Sequence, residues 1–434
     1  MGRTKNKLGL WTSASLVAGN MIGSGVFLLP AALASFGGIS LIGWLFSALG
    51  TLALALVFSY LSRLMPKAGG PYAYTRVGFG DFAGFLVAWG YWVSVWCGNA
   101  AIAVATVSYA SVFIPELASN NLLAILAGLM LIWSLTWVNT RGIKTTGNVQ
   151  LITTVLKLIP LLSLALVGPF FIDIEHFQPF NLSDQSSFSA ITATAALSLW
   201  AFLGMESATI PAENIKDPQK TIPRATILGT LVVSLVYIGS NLAVMGLVHP
   251  VDLQHSPAPY AAAAAVIWGD GAYYWVGAAA VIAGIGALNG WILMQGQIPM
   301  AVARDKLFPK IFARANMKGA PVWGLLISSI LVSIVMTMNY AKGLVEMFKF
   351  VILLSTMTVL VPYLFSSASY ILVAVQKKLG TVRWSSGKIT VACLAFVYSL
   401  WAVAGSGEES VYWGFILLMA GIPFYVWIKW RNEP

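Results

Sequence analysis

Long apolar stretches recur along the chain and are separated by short polar segments. Each stretch has about 20 residues with few charges, which is the length that a helix needs to cross a bilayer. The polar segments hold nearly all of the charged residues. This pattern predicts twelve membrane-spanning helices, at about 9–34, 39–62, 81–113, 121–139, 148–170, 190–210, 225–248, 272–301, 323–339, 345–375, 388–405 and 411–429.

The amino-acid composition agrees with an all-α polytopic membrane protein. Of the 434 residues, 58% are hydrophobic and 9% are charged, whereas soluble domains carry about 25% charged residues. The two cysteines, Cys97 and Cys393, lie far apart inside apolar stretches. This spacing excludes a CxxC metal site and a disulfide framework. We therefore expect one transmembrane domain over 1–434, with no metal and no cofactor.

The basic residues are distributed unevenly between the two sides of the predicted membrane. All but three of the 25 lysines and arginines fall near the chain ends or in loops after even-numbered spans, and acidic residues prevail in the opposite loops. Because basic loops stay in the cytoplasm, we expect both termini to be cytoplasmic and the chain to lie in the cytoplasmic (inner) membrane. The net charge of +10 thus reflects orientation in lipid. It gives no reason to expect a nucleic-acid partner.

The first predicted span has a weak point near its centre, in the stretch AGNMIGSGVFLLP. Gly23 and Gly25 flank Ser24 there, and a glycine costs a helix about 1 kcal/mol relative to alanine. A single motif of this kind also serves as a packing notch for a neighbouring helix. It becomes more informative when a second one is found.

The sixth span shows a matching irregularity, in LSLWAFLGMESATIP. Gly204 and the charged Glu206 interrupt the apolar run, and Pro211 follows. Paired interruptions at corresponding places are typical of transporters built from inverted repeats. We therefore predict a 5+5 inverted repeat with discontinuous helices 1 and 6, in which repeat one covers about 9–170, repeat two about 190–375, and two further helices about 388–429.

A broken membrane helix exposes backbone groups that can bind a zwitterion. The N–H groups of residues 24–26 begin a half-helix, whose positive end suits a carboxylate. The carbonyls near Met21 and Ile22 end the preceding half-helix and suit an ammonium group. Similar groups are expected at 200–202 on the sixth span. An α-amino acid head group therefore fits between the two breaks.

Lys157 is a basic residue in the middle of the fifth predicted span. An ionisable group at that depth is a functional candidate by default. Its ammonium group could exchange a proton in each transport cycle, or it could be a permanently charged structural pin. The sequence leaves both interpretations open.

Several motifs together resemble the amino acid–polyamine–organocation superfamily. They are IGSGVFLLP on the first span, PKAGGPYAYTRVGFG after the second, and WAFLGMESA followed by DPQKTIPRA at the end of the sixth. The likeness continues through GAPVWGL, LVPYL and WAVAGSG, so it covers essentially the whole chain. Within that superfamily the chain looks most like the bacterial antiporters of basic amino acids and polyamines, of the arginine–agmatine type.

The resemblance implies a set of substrate-binding residues. It places the carboxylate on the GSG motif, an indole cover at Trp200, and the cationic end of the substrate against Trp291. Asn99 would contact the side-chain end as well, although an asparagine at mid-span also serves to bridge two helices by a hydrogen bond. The predicted substrate site consists of Ile22, Gly23, Ser24, Gly25, Asn99, Ile102, Trp200, Leu203, Trp291 and Ser355.

The resemblance also implies residues for gating and coupling. Tyr91 and Tyr363 match tyrosines of the pathway and its gates, and Glu206 matches an acidic residue linked to proton-sensitive gating. Lys157 departs from the arginine–agmatine type, which has a small apolar residue there, and is similar to a lysine of proton-coupled, sodium-independent relatives. It argues against sodium coupling and disfavours a doubly cationic substrate.

These observations predict a secondary active transporter of amino acids, namely an amino acid/amine antiporter for cationic substrates with arginine–agmatine-like exchange. The alternative is a proton-coupled symporter of neutral or broad-range amino acids. A non-transporting sensor would be expected to carry a long signalling tail after the last span, and the spans hold no HExxH, GxSxG or paired-aspartate motif of an enzyme. The expected partners are the lipid bilayer, a small amino acid or amine, protons in the coupled case, and a second copy of the chain in a homodimer.

Overall fold

The computed structural model describes residues 8–66, 69–141, 157–209, 212, 215–338, 343–375 and 385–432. Within these ranges the fold is helical, and the β-type pairing is limited to one parallel bridge between Leu8 and Ile215. The helices are α1 Leu10–Met21, α2 Leu29–Ala34, α3 Ser40–Leu64, α4 Pro71–Phe79, α5 Asp81–Ala110, α6 Glu116–Ser119, α7 Asn121–Thr140, α8 Lys157–Phe171, α9 Ser187–Leu199, α10 Pro218–Leu247, α11 Pro250–His255, α12 Pro259–Trp268, α13 Asp270–Arg304, α14 Val322–Met338, α15 Leu344–Val375, α16 Ser386–Gly405, α17 Glu408–Met419 and α18 Gly421–Asn432.

The long helices coincide with apolar stretches of the sequence. In the described part of the chain, 9 helices are long and apolar enough to cross a membrane, and each overlaps a predicted span. Two shorter apolar helices, α8 and α14, overlap the fifth and ninth predicted spans. A third, α12, lies in a segment for which the sequence predicted no span. The chain is therefore an all-helical, polytopic membrane protein, and the count of twelve spans stays a prediction.

Helix α5 lies at the centre of the bundle. In its most apolar window, 89% of the residues are buried, because α13 and α15 pack along it and α4, α7 and α14 cover the rest. By contrast, α16 and the α17–α18 pair have windows that are only 28% and 22% buried, which places them at the periphery. Side chains on α5 are thus well placed to line an internal site.

Both irregular spans are interrupted in the middle. Helix α1 ends at Met21, a 3-10 turn covers Ser24–Phe27, and α2 begins at Leu29. Helix α9 ends at Leu199 and is followed by 3-10 turns at Trp200–Phe202 and Ser207–Thr209. In the sixth span Gly204 has a φ of +102°, a conformation that residues with a side chain rarely adopt. The glycine therefore lets the chain leave the helical path at this point.

Candidate functional site

The two breaks meet at one internal cavity. Its volume is about 40 Å³, which is room for a few water molecules. An amino acid or a diamine therefore needs the surrounding side chains to move before it fits. The cavity is lined by Asn20, Met21, Gly23, Val26, Tyr91, Ser94, Val95, Gly98, Ile102, Trp200, Ala201, Leu203, Glu206, Trp291, Ser355 and Val359.

One face of α5 forms a wall of the cavity. Tyr91, Ser94, Gly98 and Ile102 follow one another at intervals of three or four residues, so they lie on the same side of the helix. Ser355 of α15 donates a 2.9 Å hydrogen bond to the backbone oxygen of Ser94, and the two hydroxyl oxygens are 3.1 Å apart. This pair ties α15 to α5 at the level of the cavity.

The carbonyls at the end of α1 accept hydrogen bonds from the break itself and from distant parts of the chain. Helix termini leave their last carbonyls without helical partners, and two of them are bound here. The carbonyl of Gly19 accepts a hydrogen bond from the buried ammonium group of Lys157. The carbonyl of Met21 accepts from the N–H of Gly23 at 2.8 Å and from the hydroxyl of Tyr237 at 2.8 Å. Lys157 thus acts on the break itself and is not among the residues that line the cavity.

Glycines allow the two breaks to approach each other closely. A Cβ atom on Gly25 would collide with the indole ring of Trp200, and one on Gly204 would lie 3.1 Å from the backbone carbon of Asn20. Trp200 is also held edge-on by Phe348, with the ring centroids 5.6 Å apart. The indole of Trp200 therefore rests directly on the GSG motif.

Two tyrosines bind the carboxylate of Glu206. Tyr91 of α5 donates a 2.6 Å hydrogen bond to Oε1, and Tyr363 of α15 donates a 3.1 Å hydrogen bond to Oε2. Glu206 is completely buried and lines the cavity. Among the described cavity-lining residues it is the one charged side chain. Hydrogen bonds to both oxygens offset part of the free-energy cost of burying this carboxylate inside the bundle.

Asn99 lies in a helix–helix contact beside the cavity. Its Nδ2 donates a 2.6 Å hydrogen bond to Oε1 of Gln295 on α13, and the residue is fully buried. It is not among the cavity-lining residues, although its neighbour Gly98 and nearby Ile102 are. Asn99 therefore bridges two helices, α5 and α13, through its hydrogen bond to Gln295. A contact between Asn99 and substrate stays a prediction.

The other predicted residues fall into four groups. Eight of them line the cavity, namely Gly23, Ile102, Trp200, Leu203, Trp291, Ser355, Tyr91 and Glu206. Ile22 and Gly25 lie within the first break, and Tyr363 stands behind Glu206. For Ser24 the structure describes the backbone, and its side chain lies outside the description.

Sequence reasoning missed several residues that line the cavity, and the helical repeat could have found some of them. Ser94 and Gly98 are one and two turns from Tyr91 on the same face of α5, and Val359 is one turn from Ser355 on α15. Small and apolar residues of this kind carry no chemical signal of their own. Only their spacing from a recognised residue points to them.

The chain matches known transporters over most of its length. Residues 8–426 match the family model described as Amino acid permease. The chain is 32% identical to the putrescine transporter PotE of Escherichia coli strain K12, over 99% of this chain and 97% of that protein. It is 35% identical to the cadaverine/lysine antiporter of the same strain, over 84% of this chain and 83% of that protein. The PotE protein of Haemophilus influenzae is 29% identical over 100% of this chain. This chain therefore belongs to the amino acid permease family, a family of membrane transporters within the superfamily that its motifs resemble.

Proposed function

We propose that this protein is an antiporter of the cytoplasmic membrane that exchanges a cationic amino acid for an amine. The observation that carries the proposal is the charge of the cavity. Glu206 supplies a carboxylate, and no basic side chain is found among the described cavity-lining residues. A buried negative charge in low-dielectric surroundings favours a cationic ligand.

The aromatic residues of the cavity support the same cargo. Tyr91, Trp200 and Trp291 all line it. A cation over an indole face gains about 0.5–2 kcal/mol. The head group of an amino acid would bind the backbone of the two breaks, and the distal ammonium group would bind between Glu206 and these rings. An amine without a carboxylate would keep the second set of contacts.

The relatives favour a diamine as the exchanged amine. One relative is a putrescine transporter and another is a cadaverine/lysine antiporter. We therefore propose lysine or a similar amino acid, together with its decarboxylated amine, in place of the arginine–agmatine pair suggested by the motifs. Lys157 would repel a dication most strongly from within the cavity, but it is not among the residues that line the cavity.

We also propose the full topology that the sequence predicts, with twelve spans, two inverted five-helix repeats, cytoplasmic termini and a homodimeric assembly. The meeting of both breaks at one cavity supports the repeat, because inverted repeats place their broken helices at a common site. The apolar helices α8 and α14 support the fifth and ninth spans. Accessibility of cysteines introduced into successive loops tests the topology, and the mass of the purified assembly tests the homodimer.

Transport would occur by alternating access. The cavity of about 40 Å³ is too small for lysine or a diamine, so the side chains around it must move when substrate binds. A substrate drives the exchange between conformations only by binding them with different affinities. An obligate exchanger therefore crosses between its two open states when a substrate is bound.

Purified protein in liposomes tests the proposal. Liposomes are loaded with lysine, with norleucine or with buffer alone, and uptake of radiolabelled cadaverine and putrescine is measured. We expect uptake only into the lysine-loaded liposomes, and much stronger competition by external lysine than by external leucine. Equal uptake into buffer-filled liposomes would exclude obligate exchange. Competition by neutral amino acids alone would exclude the cationic cargo.

Proton-coupled symport is the second candidate, and the buried Lys157 at the first break favours it. In the same liposomes, an imposed pH gradient with no internal amino acid discriminates the two functions. An antiporter shows no net uptake under this condition. A symporter accumulates substrate.

A further inference from the structure

Gln295 is a buried amide whose side chain is hydrogen-bonded at both ends. It lies on α13, one helical turn after Trp291, and none of its surface is exposed. Its Oε1 accepts the 2.6 Å hydrogen bond from Asn99. Its Nε2 donates to Oγ of Ser329 at 2.9 Å and to the backbone oxygen of Leu325 at 3.4 Å. The amide of Gln295 therefore has a fixed orientation, with its acceptor end toward Asn99.

The main chain of Gln295 is fixed as well. Pro299, four residues later in α13, has no N–H to donate to the carbonyl of Gln295. Two side chains donate to that carbonyl instead, Trp92 through Nε1 at 3.1 Å and Ser328 through Oγ at 3.1 Å. The indole N–H of Trp92 also lies 2.8 Å from Oγ of Ser328. These bonds hold Gln295 between α5 and α14.

The bond to Gln295 determines which end of the Asn99 amide is free. Nδ2 of Asn99 is engaged by Gln295, whereas Oδ1 is buried and has no hydrogen-bond partner among the described residues. A buried acceptor without a partner costs about 1–3 kcal/mol, so a donor from a bound ligand would lower the energy of this group. Gly98 and Ile102, beside it on α5, line the cavity. The end of the Asn99 amide that has no partner is therefore its acceptor, and it belongs to a residue next to Gly98 of the cavity wall.

We propose that Gln295 is a positioning residue that sets the polarity of Asn99 and thereby selects substrates with a cationic side chain. An amide presents a donor at one end and an acceptor at the other. By binding the donor end, Gln295 leaves Oδ1 of Asn99 to accept a hydrogen bond from the distal ammonium group of the substrate. The inference rests on the proposed function and adds that Asn99 recognises the distal ammonium group of the substrate.

Lysine and norleucine are matched probes for this selectivity. They share the head group and the apolar side-chain stem, and norleucine lacks the distal ammonium group. The Kd of each is measured by competition against radiolabelled lysine on the purified full-length protein. The ratio of the two values isolates recognition of the ammonium group from any general loss of binding.

The test variant is Gln295→Met, which keeps the length of the side chain and removes the acceptor for Asn99. We expect the Kd for lysine to rise on the order of tenfold, because a hydrogen bond to a charged group is lost, while the Kd for norleucine changes little. If Gln295→Met is not recovered as monodisperse protein, the variant Gln295→Leu is used in its place. Ser329→Ala is the matched control, because it removes a bond of Gln295 but leaves the bond to Asn99. Its selectivity ratio should stay within about twofold of the wild type, less than a single hydrogen bond contributes.

Combining Gln295→Met with Asn99→Ala shows whether Gln295 acts by positioning Asn99 or through its own packing. If Gln295 acts through Asn99, the double variant has the selectivity of Asn99→Ala alone, whereas independent effects add. Additive effects, an unchanged ratio in Gln295→Met, or an equal loss in Ser329→Ala would overturn the inference and leave the proposed function standing. Wild-type protein that binds no lysine would overturn both.

Discussion

The hydroxyl of Tyr91 donates a 2.6 Å hydrogen bond to Oε1 of Glu206 and so joins α5 to the break in the sixth span. Tyr363 makes a similar bond from α15 to the other oxygen. The carboxylate therefore connects three parts of the protein at the edge of the cavity. Changes at this point should alter both the choice of substrate and the closing of the site.

Glu206→Gln should weaken binding of cadaverine or putrescine by about tenfold or more, since a hydrogen bond to a charged group contributes about 1.5–3 kcal/mol. The amide oxygen of glutamine can still accept from Tyr91, so the fold should persist. Competition binding with a diamine and a neutral amino acid measures the effect. Glu206→Asp, which keeps the charge, is the control and should lose less diamine affinity than Glu206→Gln. Identical diamine affinity in wild type and Glu206→Gln would contradict a role for this charge.

Gly25→Ala should disrupt the contact between the two breaks, because its Cβ atom would collide with the indole of Trp200. Overpacking of this kind typically costs about 1–3 kcal/mol. Thermal unfolding of the purified protein should show a lower Tm, with weaker lysine binding. Gly23→Ala is the matched comparison, because its Cβ would lie 3.9 Å from the Cβ of Ala287 and 4.0 Å from the backbone nitrogen of Gly25, which are ordinary contacts. We expect a smaller drop in Tm there, and equal drops would argue against the close packing of Gly25 on Trp200.

Trp291→Ala should weaken amine binding by the value of one cation–π contact, about 0.5–2 kcal/mol. The Kd for cadaverine checks this. Trp275→Ala is the control on the same helix, since Trp275 is 80% exposed and is not among the residues that line the cavity. If the two variants bind cadaverine equally well, Trp291 has no part in cation recognition.

Lys157→Met should lower the Tm, because the carbonyl of Gly19 loses its side-chain donor, and a hydrogen bond contributes about 0.5–1.5 kcal/mol. If the protein is an antiporter, the exchange rate should fall to the same extent with and without a pH gradient. Lys157→Arg retains a donor and is expected to recover part of the stability. Selective loss of uptake driven by a pH gradient in Lys157→Met would instead identify Lys157 as a proton carrier.

Arg76→Gln should shift the balance between conformations open to opposite sides. The guanidinium group of Arg76 binds Asp81 at 2.8 Å and Asp305 at 3.1 Å, which ties α4 to the start of α5 and to the loop after α13. Each exposed ion pair contributes at most about 1 kcal/mol. Two such pairs together contribute at most about 2 kcal/mol, so we expect the ratio of the two KM values, measured from opposite sides in oriented vesicles, to change by no more than roughly thirtyfold. Arg63→Gln, on an exposed residue of α3, is the control.

The same ion pairs should respond to salt but not to mild alkali. Burial lowers the pKa of the Arg76 guanidinium, but the hydrogen bond to Asp81 and the nearby negative charges outweigh it and raise the pKa above its ordinary value. A group with a raised pKa loses its contribution only as the pH rises through that value. KM ratios that stay constant to pH 9 but change with added salt would agree with this, and a change between pH 7 and 9 would contradict it.

Much of the fold could be predicted because the bilayer restricts the choices. In lipid a chain must satisfy its backbone groups within each helix, so an apolar stretch of sufficient length already indicates a span. The glycines of the GSG motif and Gly204 likewise indicated both helix breaks, because glycine tolerates conformations that end a helix. Helix α12 escaped prediction, since its 10 residues are too few for a span by that criterion.

The amino-acid sequence by itself thus determined the class of protein, the places where two helices break and the resemblance that led to Glu206 and Trp291. Only the tertiary structure decided that Lys157 reaches the carbonyl of Gly19 and that Asn99 binds Gln295. These partners are 138 and 196 residues apart in the chain. Their meeting depends on the depth and rotation of each helix. A helix such as α5, buried on nearly all sides, has no polar face from which that rotation could be predicted.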